Sequence, residues 1–231
     1  MRLFANLQKL KNFVKSIDLN WMDEEIESLS TQAYVCCLKW FGNPPDESRS
    51  YQIVRGPVAG TTRDMLTGDY FICIPPECDN IEQKAITISH EMYHRVTMMR
   101  KGLCNIFWVD EMMAVATSLH FVNEIGYSAY VEYYLRWHCD CSIILPPHLL
   151  PTKREYENFL LRPQSIRLPH EFESSIVILG LRLEQIVGWR EMCRIAQCKT
   201  WAEWISGLSL EHKVEVCALL GLDQLYPEYP R

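Results

Sequence analysis

No uninterrupted apolar run in the 231-residue sequence approaches the roughly 18 residues that a helix needs to cross a bilayer, so no membrane span is expected. A positive excess is missing as well: 23 Lys and Arg stand against 29 Asp and Glu, a formal charge of -6. That balance speaks against a surface built to neutralise phosphates, and nucleic acid is not the expected partner. Internal repeats and low-complexity stretches are also lacking. The amino terminus has no unbroken apolar centre of the kind a secretion signal carries, because Arg2, Lys9, Lys11 and Lys15 are scattered through it. Leu3, Leu7, Leu10, Phe13, Val14 and Ile17 recur there at helical spacing. They predict a docked amphipathic helix, with a membrane-surface helix as the alternative.

Ten cysteines are present, but a chain of this size does not need a disulfide framework. Neither Cys36-Cys37 nor the pair Cys139 and Cys141 has the spacing of a zinc-finger half. His138-Cys139-Asp140-Cys141 could offer metal ligands, yet no second cluster completes the set. The cysteines are expected to be reduced and mostly buried, and the expected location is the cytoplasm.

What is present reads as an α+β protein: a small N-terminal sheet with a metal-binding helix, then a mainly helical C-terminal part. The first forty residues read as helical and stop at Gly42-Asn43-Pro44-Pro45. Tyr51-Gln52-Ile53-Val54 and Asp69 to Ile74 are rich in β-branched and aromatic residues and predict strands, with a loop over Gly56 to Gly60 between them. Asp79 with Glu82 is a capping pair for a helix running to about Arg100. Further helices are expected over Glu111–Glu124, Ser128–Cys139, Ser174–Val187, Arg190–Gln197, Trp201–Ile205 and Leu210–Leu220, with a Pro-marked linker from Pro146 to Pro151. The expected division is a helical segment over 1–45, an α+β metal-binding part over 46–145 and a helical part over 146–231. The cleft between the sheet and the helical part is the expected place for chemistry.

His90-Glu91-Met92-Tyr93-His94 falls inside the first of these long helices. Residues four apart share a helical face, so His90 and His94 can present two imidazole nitrogens to one ion. Glu91 stands beside that ion without having to be a ligand, placed to act as a general base toward water activated there. The expected cofactor is Zn²⁺. A catalytic zinc takes three protein ligands and keeps one open position, and the next helix offers Asp110 and Glu111 for the third.

Trp108, Glu111 and Ala114, taken with the His-Glu-x-x-His segment, resemble the gluzincins, the zinc-peptidase group that includes thermolysin and the aminopeptidase N family. The resemblance implies a zincin-like fold with His90, His94 and Glu111 as ligands and Asp110 as the next candidate. It implies a metallopeptidase acting on peptide or small amide substrates. It also implies that an edge strand ahead of the metal helix pairs with extended substrate, which assigns that role to Asp69–Ile74. A strand paired on both sides would count heavily against peptidase function. A donor to the developing oxyanion is implied just before a C-terminal helix, and His170, after Pro169, matches in order. An ungapped alignment places Glu173 there instead, and Tyr127, Tyr130 and Tyr156 are the other candidate donors. Tyr93 stands where many gluzincins have a small residue, and Val115 where the thermolysin branch has an acid. Two further readings stay open: a non-peptidase amide or ester hydrolase or tailoring enzyme, and a catalytically silent zinc-binding regulatory module. A carboxylate-bridged di-iron site would need a second Glu-x-x-His pair, and a deformylase a Glu-Gly-Cys segment; the sequence has neither.

Overall fold

Apolar residues at helical spacing build the first described element, α1 (Glu24–Phe41), which buries Ile26, Leu29, Ala33, Cys37 and Phe41 along one face and ends where Gly42 turns to φ 74°. The computed structural model describes residues 24–56, 59–64, 67–141, 143–160 and 167–222. The amphipathic segment expected near residues 3–17 lies outside them.

Three strands follow: β1 (Tyr51–Arg55), β2 (Gly60–Arg63) and β3 (Tyr70–Ile74), in the spatial order β1-β3-β2. β1 runs parallel to β3, with Ile53 opposite Ile72, and β2 runs antiparallel to it, with Thr61 opposite Ile72. Two expectations are corrected here. The segment read as a loop over Gly56–Gly60 leads into a further strand, missed because Gly-Thr-Thr-Arg is short and only partly buried. The strand expected at the edge, Asp69–Ile74, is the centre of the sheet, paired on both sides. Its burial explains the placement: Tyr70, Ile72, Cys73 and Ile74 are all buried, a continuous pattern suited to an interior strand rather than a half-solvated one. Among the described residues the edge nearest the metal helix belongs to β2.

The helix that carries His90 and His94 is α2 (Ile81–Thr97). Its cap is Asn80 rather than Asp79: the Asn80 side chain accepts from Gln83 N at 2.8 Å, satisfying a donor the first turn leaves open. Ala85, Ile88, Met92 and Val96 face the core, and His90 and His94 face the cleft. The link to α3 (Phe107–Glu124) passes Gly102 at φ 129°, where a Cβ would lie 2.4 Å from the Cys198 carbonyl oxygen. Only glycine fits that approach, which docks the link through Leu103 N donating to Cys198 O at 3.1 Å.

The remaining helices are α4 (Ser128–Cys139), α5 (Lys153–Leu160), α6 (Arg167–Val187), α7 (Trp189–Cys193), α8 (Trp201–Ser206) and α9 (Leu210–Leu220). α5 follows the expected Pro146–Pro151 linker and was not expected, because its sequence is charged and poor in apolar residues. α6 begins at Arg167 rather than near Ser174, with Pro169 accommodated in its first turn, where a missing N–H costs nothing. The chain is therefore α+β, mostly helical, with one small sheet. One buried cluster runs without a break from Ile26 to Leu222, across both boundaries expected at 45/46 and 145/146. Among the described residues no helix is long and apolar enough to cross a membrane.

Candidate metal centre

α2 and α3 pack side by side and bring three side chains from the two helices to one point. His90 Nε2 lies 3.1 Å from His94 Nε2 and 3.3 Å from Glu111 Oε2, and His94 Nε2 lies 3.8 Å from Glu111 Oε1. A tetrahedral zinc with bonds of about 2.0–2.1 Å sets its ligand atoms about 3.3–3.4 Å apart, so the triad is close to that spacing before any ion is considered. Among the described residues it is the group of three or more His, Cys, Asp and Glu side chains that converges in this way. His138, by contrast, turns inward, its Nδ1 3.0 Å from Ser174 Oγ, while Cys139 is exposed. All ten cysteines are free thiols.

Asp110 is not brought to the same point. Its Oδ2 lies 3.0 Å from His94 Nδ1, the ring nitrogen on the far side from Glu111. An acid there fixes the tautomer and ring angle of a ligating histidine. Asp110 thus sits just ahead of Glu111 with its carboxylate on His94, a relation that spacing alone did not reveal. Asp110→Asn should lower metal affinity about 10- to 100-fold without loss of fold, measured by competition with a chelating dye. Unchanged affinity would show that His94 needs no such partner.

In the metal-free chain these charges polarise one another. Burial pushes His94 down, but Asp110, by charge and hydrogen bond, with Glu111 and Glu91 behind it, outweighs burial and holds the imidazolium up to about 10. Burial also pushes Glu111 up, yet the His90 hydrogen bond and the charges of His94, His90 and Lys153 hold it down to about 2. A pKa raised from 6.5 gives stability that is complete below pH 6.5 and lost as pH rises through about 10. Glu111 works in the opposite sense, its contribution present above 4.5 and lost as pH falls through about 2. The melting-temperature gap between metal-free wild type and His94→Gln should therefore narrow between pH 6.5 and 10; a gap that stays constant would contradict the pairing.

Glu91 is 95% buried, at 5% relative exposure, yet it reaches the cleft. The Thr61 hydroxyl on β2 is 3.0 Å from Glu91 Oε2 and 2.7 Å from the Glu91 carbonyl oxygen. The sheet edge thereby fixes the carboxylate beside the triad. Tyr93, the departure from the small residue expected, points away from the cleft and packs edge-on against Phe41 at 5.1 Å between centroids. Two positions on, Arg95 is fully buried: it donates to Asp46 Oδ1 at 3.0 Å and Arg49 O at 2.8 Å and lies 3.9 Å over the Tyr70 ring. It braces the metal helix against the sheet.

The triad opens on a cleft of about 800 Å³ walled by β2, α2, α3, α4, α5 and α6. Tyr156 and Glu173 face it from the far wall, the Tyr156 hydroxyl donating to Glu173 Oε1 at 3.3 Å. Burial raises the Glu173 carboxyl, and burial together with the Glu173 and Glu111 charges raises the Tyr156 phenol, which keeps its proton at neutral pH. His170 does not line this cleft; it lies in the first turns of α6, its ring 4.6 Å from that of Trp137, with Nδ1 buried and unpartnered. Tyr127 and Tyr130 are not among the lining residues either.

Comparison with protein-family models, with curated proteins and with solved structures finds no match for this chain.

Proposed function

We propose that this chain is a zinc-dependent hydrolase of amide bonds, a metallopeptidase of the gluzincin kind with a zincin-like arrangement of its metal helices. The observation that carries the reading is the convergence of His90, His94 and Glu111, with Glu91 held beside them, on the wall of an open cleft. A zinc ion held there would supply Lewis acidity, acidifying water toward a pKa of about 7 and polarising a carbonyl.

The residues of the chain have separate tasks. Glu91 accepts the proton of the attacking water and delivers it to the leaving amine, and Thr61 keeps its carboxylate aimed. Asp110 holds the His94 ring with Nε2 toward the triad. Tyr156 takes the oxyanion role that sequence order assigned to His170, because it lines the cleft and retains its phenolic proton. Its present bond to Glu173 is long enough to be exchanged for one to the developing oxyanion. Tyr156→Phe should lower kcat about 10²-fold with metal content and KM little changed, whereas His170→Ala should not. The reverse pattern would restore His170.

β3 is paired on both sides, which counts against the peptidase reading; main-chain pairing with an extended substrate would fall to β2, which lines the cleft at Gly60 and Thr61. β2 spans only four residues, so it grips a short stretch of substrate. That shortness favours, as a second reading, a hydrolase of small amides rather than of long peptides. The deciding experiment compares zinc-loaded protein on a peptide library and on a panel of small amides, before and after chelation. Chelator-sensitive turnover restored by Zn²⁺ supports the proposal. A folded, zinc-loaded chain inert on both would favour the silent zinc-binding module.

A further inference from the structure

The seam between α4 and α6 is closed by polar side chains where apolar ones would be expected. Val131, Tyr134 and Leu135 of α4 pack partly buried against the core. The one buried side chain among its 12 residues, however, is His138, at 1% exposure. Its Nδ1 lies 3.0 Å from Ser174 Oγ on α6, while its Nε2 is buried and has no partner among the described residues. The next serine makes a second tie. Ser175 Oγ accepts from Leu145 N at 2.7 Å and donates to the Glu171 carbonyl at 2.5 Å. Both serines are fully buried, so they fasten the last turn of α4 and the chain beyond it to α6.

A second imidazole stands beside the first. His170, one turn before Ser174 on α6, has its ring centre 6.0 Å from that of His138, and its Nδ1 is likewise buried and unpartnered. Trp137 packs on both rings, 4.6 Å from each, and Tyr134 packs on His138 at 4.5 Å. A proton taken up by His138 places a cation out of water, beside another imidazole, with no carboxylate paired to it. The charged and titratable groups around the seam are engaged elsewhere. Glu173, whose charge reaches His170, faces the cleft and accepts from Tyr156. Glu171 is buried and already partnered, Glu132 pairs with Arg136, and Asp140, Cys139 and His148 are exposed. Cys141 donates to the Ile143 carbonyl, and burial raises the Tyr134 phenol, which stays neutral. Burial first, and the His170 charge second, accordingly hold the His138 imidazole down to about 4. We propose that His138 and His170 form an acid-released latch: protonation within this pair frees the last turns of α4, and the chain at Leu145, from α6. Tyr134, one turn before His138, lines the metal cleft, so the freed helix takes part of that wall with it. No bound ion is needed for this step, and it does not depend on the hydrolase reading.

The direction follows from linkage. His138 titrates near its ordinary 6.5 once α4 is released and at a depressed value while it is fastened. The latch is therefore intact above pH 6.5 and weakens as pH falls from 6.5 toward 4. Backbone hydrogen exchange on the full chain, corrected for the intrinsic pH dependence of the rates and with metal chelated, reads the opening. Between about pH 7 and about pH 5.5, protection of α4 and of the Leu145 amide should fall roughly tenfold, while β3 and α2 keep theirs. His138→Asn, whose amide can still bond Ser174 but does not titrate, should remove the pH effect. His170→Asn, which takes away the second positive charge, should shrink it. Melting curves at neutral pH identify a variant that fails to fold, and if His138→Asn does, the localisation in wild type and the His170→Asn comparison decide. Equal protection of α4 at the two pH values, a loss shared by every helix, or a loss undiminished in either folded variant would overturn the latch.

Discussion

Glu91→Gln should leave one zinc per chain in place and lower amide turnover by about 10²-fold or more. The substitution keeps the shape of the side chain, so the buried position beside Thr61 is still filled and the hydroxyl can still bond it. What disappears is the ability to accept a proton in the step that breaks the amide. The ligand set is untouched, since His90, His94 and Glu111 converge without Glu91. Metal analysis by atomic emission and single-turnover kinetics on the same preparation separate the effects. Near-normal turnover with full metal would remove Glu91 from the mechanism.

His90→Ala or His94→Ala should abolish stoichiometric metal and all metal-dependent turnover, and Glu111→Ala should weaken binding severely. Each is one of three converging side chains, and among the described residues no other His, Cys, Asp or Glu joins the group. Asp110 is the test case, because it is acidic and adjacent to Glu111 but occupied with His94 Nδ1 at 3.0 Å. Full retention of zinc in Glu111→Ala would mean that Asp110 swings in, and the double variant would then lose the ion. Loss of metal in all three single variants, with folding preserved, is the outcome expected from the geometry.

Much of this centre was legible in the sequence because a helix has a fixed period. His90 and His94 are one turn apart, and Glu111 follows in the next helix, so the triad could be named without coordinates. The limits of the helices were less legible: Pro169 read as a stop, yet it sits comfortably in a first turn, and that moved His170 from ahead of α6 into it. Sheet order was not legible at all. Nothing in Gly60–Arg63 has the apolar alternation that marks a strand, because its side chains contribute little to the core and its backbone pairing to β3 does the work. Thr61 and Asp110 went unassigned for a related reason. Their roles depend on which elements come to lie beside α2, a tertiary fact that local spacing does not encode.

The two histidines and Glu111 come from neighbouring helices, with only seventeen positions separating His94 from Glu111. An ion at that point would cross-link a segment whose ends are already joined by the core and by the docked turn at Gly102. Little loop-closure entropy remains for the ion to remove, in contrast to small zinc modules that collapse only when loaded. Demetallation should therefore leave hydrogen-exchange protection in α1, β3 and α2 intact. A zinc ion bound there would be an exchangeable occupant rather than a folding staple, and its occupancy would follow the free zinc level around the protein instead of being fixed when the chain first folds.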